Sequence, residues 1–86
     1  MKSINTEIIE QFQAYGFDDE ESYEALRVIY EWLYKVNNGE EVDSILFEKS
    51  IADIHLIPLE SARNILLAAS RNKCFEKMYE KIYQKK

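Results

Sequence analysis

Apolar residues in this chain recur at intervals of three and four, the spacing that lines one face of an α-helix, and little interrupts them. Only two Gly and one Pro occur in 86 residues, so the punctuation that hairpins and sheet turns require is missing. Helices are the fold that remains. A chain of this length supports one hydrophobic core, and 47% hydrophobic residues supply it despite 31% charge, which argues against disorder. The expected architecture is all-α: a bundle of four to five short helices forming a single domain over residues 1 to 86.

The first helix is expected to start near Ser3 to Thr6, to carry Ile4, Ile8, Phe12 and Tyr15, and to end at Gly16, which accepts a left-handed backbone. Asp18 followed by Glu21 reads as a capping-box variant opening a second helix near Asp19. That helix runs to about Val36 and stops at Asn37-Asn38-Gly39. Its apolar sector holds Ala25, Leu26, Val28, Ile29, Trp32, Leu33 and Val36. The pairs Glu24–Arg27, Arg27–Glu31 and Glu31–Lys35 have the spacing of helix-surface ion pairs. A third helix is expected from Asp43 to about His55, with Ile45, Leu46, Phe47, Ile51 and Ile54 apolar. Pro58 suits the first turn of a fourth helix, Leu59 to about Arg71, burying Ala62, Ile65, Leu66 and Ala69. A last amphipathic segment, Lys73 to Gln84, places Phe75, Met78, Tyr79, Ile82 and Tyr83 on one side. The pattern leaves open whether Ser70-Arg71-Asn72 separates two helices or lies within one.

Catalysis requires converging groups, and the chain holds one His, one Cys and no glycine-rich loop. His55 and Cys74 lack any local signature of a nucleophile–base pair. They also leave a zinc site two ligands short. The run Asp18 to Glu21 has neither the alternate spacing nor the glycine of a calcium loop. The expectation is a non-enzymatic protein with no cofactor and no bound metal. A single cysteine excludes an internal disulfide, and with no leader-like apolar run after Met1-Lys2 the expected compartment is the reducing cytoplasm. No apolar run approaches a membrane span.

Charge is unevenly spread. Residues 1 to 60 carry four Lys/Arg against fourteen Asp/Glu, a balance of −10, and residues 61 to 86 carry seven against two, a balance of +5, which sums to the net −5. Attraction between the protein's own halves is one explanation, and a basic face offered to nucleic acid or an acidic protein is another. Two surfaces stand out as binding candidates. Tyr23, Tyr30 and Tyr34 form a stripe at the border of the second helix's apolar sector, where a phenol can bury its ring and keep its hydroxyl wet. Lys77, Lys81 and Lys85 recur every four residues without acidic partners at that spacing, so something acidic is expected to face them.

From Ile51 the order Ile51-Ala52-Asp53-Ile54, Leu56-Ile57-Pro58, then Leu59 to Leu66 resembles the helix-turn-helix units of bacterial repressors. Ala52 matches the small residue packed between the two helices, Ile57 the buried turn hydrophobe, and Ala62, Ile65 and Leu66 the inner face of the recognition helix. The resemblance implies that Ser61, Arg63, Asn64 and Arg71 face DNA. The sequence departs from the pattern at Leu56, where Gly is usual, and at Glu60, which adds negative charge. In size, acidity and the ending from Phe75 through Tyr83, the chain is also similar to small helical phage anti-sigma factors. The helix from Leu26 to Lys35, followed by a second helical pair, is similar to bacteriocin immunity proteins. The leading expectation is a regulatory or inhibitory protein that binds another protein through Tyr23, Tyr30, Tyr34, Lys77 and Lys81. The rival is DNA binding through the helix-turn-helix, and a third class is a homodimer built on the helix faces.

Overall fold

The computed structural model describes residues 3–83, with the side chain of Cys74 outside that description. Five helices follow one another: α1 (Ile4–Ala14), α2 (Asp19–Asn37), α3 (Ser44–His55), α4 (Leu59–Ala69) and α5 (Lys73–Tyr83). The fold is all-α, as the three- and four-residue spacing requires.

Each start has a local cause. Ser3 Oγ accepts the Thr6 N–H to cap α1, and Asp43 accepts the Ile45 N–H to cap α3. Asp18 and Glu21 complete the expected capping box, each carboxylate accepting the other's backbone N–H at 2.8 and 2.9 Å. Such caps stabilise by about 1 kcal/mol each. Pro58 occupies the N-cap of α4, one residue before the expected first helical position. Its fixed φ suits the extended conformation found there, with φ −61° and ψ 152°.

Three helices end in the same way. After α1 the N–H of Phe17 reaches back to the Phe12 carbonyl, after α2 that of Glu40 to Lys35, and after α3 that of Ile57 to Ala52. Each reversal passes through a left-handed residue: Gly16 at φ 95°, Gly39 at φ 77° and Leu56 at φ 51°. The first closes on an aromatic contact, with the Phe12 and Phe17 rings 5.0 Å apart. Leu56 is thus a departure of residue type and not of backbone path, because it adopts the conformation that glycine would supply. Ser70 to Asn72 form a turn, and the Asn72 carbonyl accepts the N–H groups of Phe75 and Glu76. The segment left open by the sequence is therefore two helices.

The core joins Ile8 and Phe12 of α1, Phe17, Ala25, Val28, Ile29 and Leu33 around α2, Phe47 and Ile51 of α3, Ala62 and Leu66 of α4, and Phe75 and Ile82 of α5. Consecutive helices pack together from α1 to α4, and α5 returns against α1, α2 and α4. Three of the helically spaced apolar positions stay outside the core. Ile45 and Leu46 are exposed near the start of α3, because its buried face is set by Phe47, Glu48, Ile51 and Ala52. Tyr15, at the cap of α1, is also exposed. Lys35 does not pair with Glu31 and instead lays its ammonium over the Trp32 ring, 4.6 Å from the centroid, a cation–π arrangement.

Candidate protein-binding face

The exposed side of α2 carries the tyrosines. Stepping about 100° per residue, Tyr23, Arg27, Tyr30 and Tyr34 fall on one line, opposite the sector of Ala25, Ile29 and Trp32. Tyr23 is 62% exposed and Tyr34 70%. Neither packs against the core, whose partly buried fringe includes Trp32, Tyr79 and Tyr83 but none of the α2 tyrosines. Tyr30, 39% exposed, sits at the margin and donates its hydroxyl proton to Asn5 Oδ1 of α1. The expectation of a border stripe therefore holds for Tyr30 only, while Tyr23 and Tyr34 stand out in solvent. Arg27 lies between them, bonded to Glu24 on one side and Glu31 on the other, so its guanidinium is already engaged.

Lys77 and Lys81 are exposed on α5, one turn apart, on the side away from Phe75 and Ile82. Neither forms an ion pair with a described residue, and the protein's own acidic half does not cover them there. Lys85, the third member of that stripe, lies outside the described residues. No described contact joins Lys77 or Lys81 to Tyr23, Tyr30 or Tyr34, so these are two separate patches.

On α4, Asn64 faces solvent with Glu60 and Leu67, and Ser61 is half-buried at the edge of that face. Arg71 is exposed in the turn after α4. Arg63 is turned to a different task. Its Nε and Nη2 donate to Glu48 Oε1 at 3.2 and 3.1 Å, and the Tyr83 hydroxyl donates to Glu48 Oε2 at 2.7 Å. The Glu48 carboxylate is only 4% exposed, yet all three donors reach it, so α3, α4 and α5 are tied at one point. Beside Glu48 and partly buried, the Tyr83 phenol is held far above its ordinary range, first by burial and then by its hydrogen bond to the carboxylate. Tyr79, stacked on Tyr83 at 4.3 Å, is shifted the same way by burial and by the charge of Glu48. Sequence spacing gave no sign of this cluster, since Glu48 and Tyr83 stand 35 positions apart. The only local hint is a carboxylate placed inside an apolar helical face.

His55 ends α3 half-buried, stacked on Phe17 at 4.6 Å, with Nδ1 2.9 Å from Glu21 Oε1. Glu21 is held below the ordinary carboxylate range, first by the Asp18 N–H and then by His55. The pair links the start of α2 to the end of α3, and the Glu21 oxygen that meets His55 also accepts the capping N–H of Asp18. Cys74, the other member of the pair considered from sequence, has its side chain outside the described residues. Among the described residues no group of three or more His, Cys, Asp or Glu gathers as metal ligands, and no helix is long and apolar enough to cross a membrane. A crevice lined by Glu7, Ile8, Gln11, Ala69, Asn72 and Phe75 has room for about one water molecule. Neither a family model nor a curated protein nor a solved structure matches the chain.

Proposed function

We propose that this protein is a regulatory or inhibitory module of the cytoplasm that acts by binding another protein through the exposed tyrosine face of α2. The observation that carries this reading is the position of Tyr23 and Tyr34, two large rings on one helix face that contribute nothing to the core. Exposed aromatics of this kind are the side chains that dominate binding energy when a partner desolvates them. The stripe of Lys77 and Lys81, which forms no ion pair among the described residues, offers a second contact area. No catalytic role is assigned to His55, whose ring is engaged with Glu21.

The deciding experiment is affinity capture from an extract of the source organism with nuclease present. It compares the wild type with Tyr23→Ser/Tyr34→Ser and with Lys77→Glu/Lys81→Glu. Loss of the retained protein in the tyrosine variant, with an unchanged melting curve, supports the reading. Retention of the same protein by both variants removes these surfaces.

DNA binding is the second reading, favoured by the left-handed Leu56 that gives α3 and α4 a short helix-turn-helix connection. Arg63 is bound to Glu48, and Glu60 and Leu67 share the face of Asn64. That leaves Ser61, Asn64 and Arg71 to contact DNA. Low-salt titration with a mixed duplex pool separates the readings, because phosphate binding weakens steeply as salt rises. A homodimer, the third reading, shows as a doubled mass in light scattering.

A further inference from the structure

We propose that the partner segment received by the α2 face is a basic helix, with Arg or Lys recurring every three to four residues. This rests on the reading of that face as the binding surface and adds the chemistry of its occupant. Around Tyr23, Tyr30 and Tyr34, the exposed half of α2 presents Asp19, Glu20, Glu24 and Glu31. Arg27 is the one cation among them, and it is held by Glu24 and Glu31. Lys35 is drawn off toward Trp32. Four carboxylates against one guanidinium leave the face at −3, within a stretch of chain that sums to −10.

Charge of that sign selects among occupants. An acidic segment or a nucleic acid is repelled by it, and a neutral helix would desolvate carboxylates without pairing them. A basic helix pairs with the carboxylates while its guanidinium groups and their aliphatic stems lie on the exposed phenol rings, which attract cations through their faces. Tyr23 and Tyr34 bracket Arg27 at three turns' total span, a footprint matching a helix laid along α2.

The test titrates the whole protein into three labelled Ala/Leu-based helical peptides of about 20 residues, followed by fluorescence anisotropy. One peptide bears Arg at every fourth position, the second Gln there and the third Glu. The Arg peptide is expected to bind about tenfold or more tighter than the Gln peptide, with the Glu peptide weakest. Tyr23→Ser/Tyr34→Ser should weaken the Arg peptide about fivefold or more at unchanged melting temperature. Glu20→Gln/Glu31→Gln should also weaken it and flatten its salt dependence. Equal binding of the Arg peptide to wild type and to the tyrosine variant means diffuse charge attraction and overturns the proposal. Equal binding of Arg and Gln peptides overturns it too. If the captured partner still depends on Tyr23 and Tyr34 while the Arg peptide shows no preference, the basic assignment falls and the binding face stands. A wild-type dimer that dissociates in the tyrosine variant assigns the face to a second copy, which also overturns the proposal.

Discussion

The Tyr83 hydroxyl near the end of α5 donates a 2.7 Å hydrogen bond to the buried carboxylate of Glu48 on α3, and the same carboxylate accepts Arg63 of α4. Burying a carboxylate is costly unless its oxygens are paired, so each donor's value lies in what its loss would leave unsatisfied. Glu48→Ala is expected to destabilise the fold by about 2–4 kcal/mol, less than a fully buried pair because Arg63 keeps half its surface in water. Tyr83→Phe is expected to cost about 1–2 kcal/mol. Urea unfolding followed by circular dichroism measures both, and additive effects in the double variant would show that the two residues do not interact.

An alkaline limit on stability follows from the same contact. The Tyr83 phenol is raised above its ordinary value of 10.0 in the folded protein. Above that value the unfolded chain releases the proton while the folded one retains it, so the unfolded state binds fewer protons and stability falls as pH rises. Thermal midpoints should decline above about pH 10, and Tyr83→Phe should decline less steeply over the same range.

Glu21 gives the corresponding acid limb. Its folded value lies below 4.5 because it accepts the Asp18 N–H and faces His55. Its contribution is complete above the unfolded carboxylate value and disappears as pH falls through the folded one. Glu21→Gln should lower the melting temperature at neutral pH and reduce the loss on acidification toward pH 3. Parallel acid limbs for wild type and variant would contradict the capping role of that carboxylate.

Leu56 holds a left-handed conformation with its side chain 90% exposed, so substitution removes strain and forfeits little packing. Leu56→Gly is expected to raise stability by about 0.5–1 kcal/mol. A destabilised variant would mean that the leucine side chain contributes a contact of its own.

Ser22 is fully buried in α2 with its hydroxyl lacking a partner among the described residues. Ser22→Ala removes that unsatisfied group and improves helix propensity, so stability should stay level or rise by about 0.5–1 kcal/mol. A loss above about 1 kcal/mol in chemical denaturation would show that the hydroxyl is satisfied in solution.

The sequence by itself determined the helices, because their causes are local. Spacing of three and four marked the apolar faces, Asp18 with Glu21 fixed the start of α2, and Gly16 and Gly39 marked two ends where a left-handed residue is needed. Leu56 escaped because residue type gave no signal, the conformation being imposed by packing of α3 against α4. Ile45 and Leu46 lie on α3 as expected, but their exposure was not legible, since an apolar residue in a helix start is buried only if another element arrives to cover it. The tyrosine stripe was legible as a stripe, but only the packing of α1, α3 and α5 around α2 left Tyr23 and Tyr34 uncovered. Arg63 shows the same dependence most sharply: the resemblance to a helix-turn-helix set it beside Asn64 facing DNA, and the tertiary fold turned it to Glu48. Local chemistry therefore set the elements, and long-range burial decided which charges and rings remain available, since solvent exposure is a property of neighbours that the chain brings together only on folding.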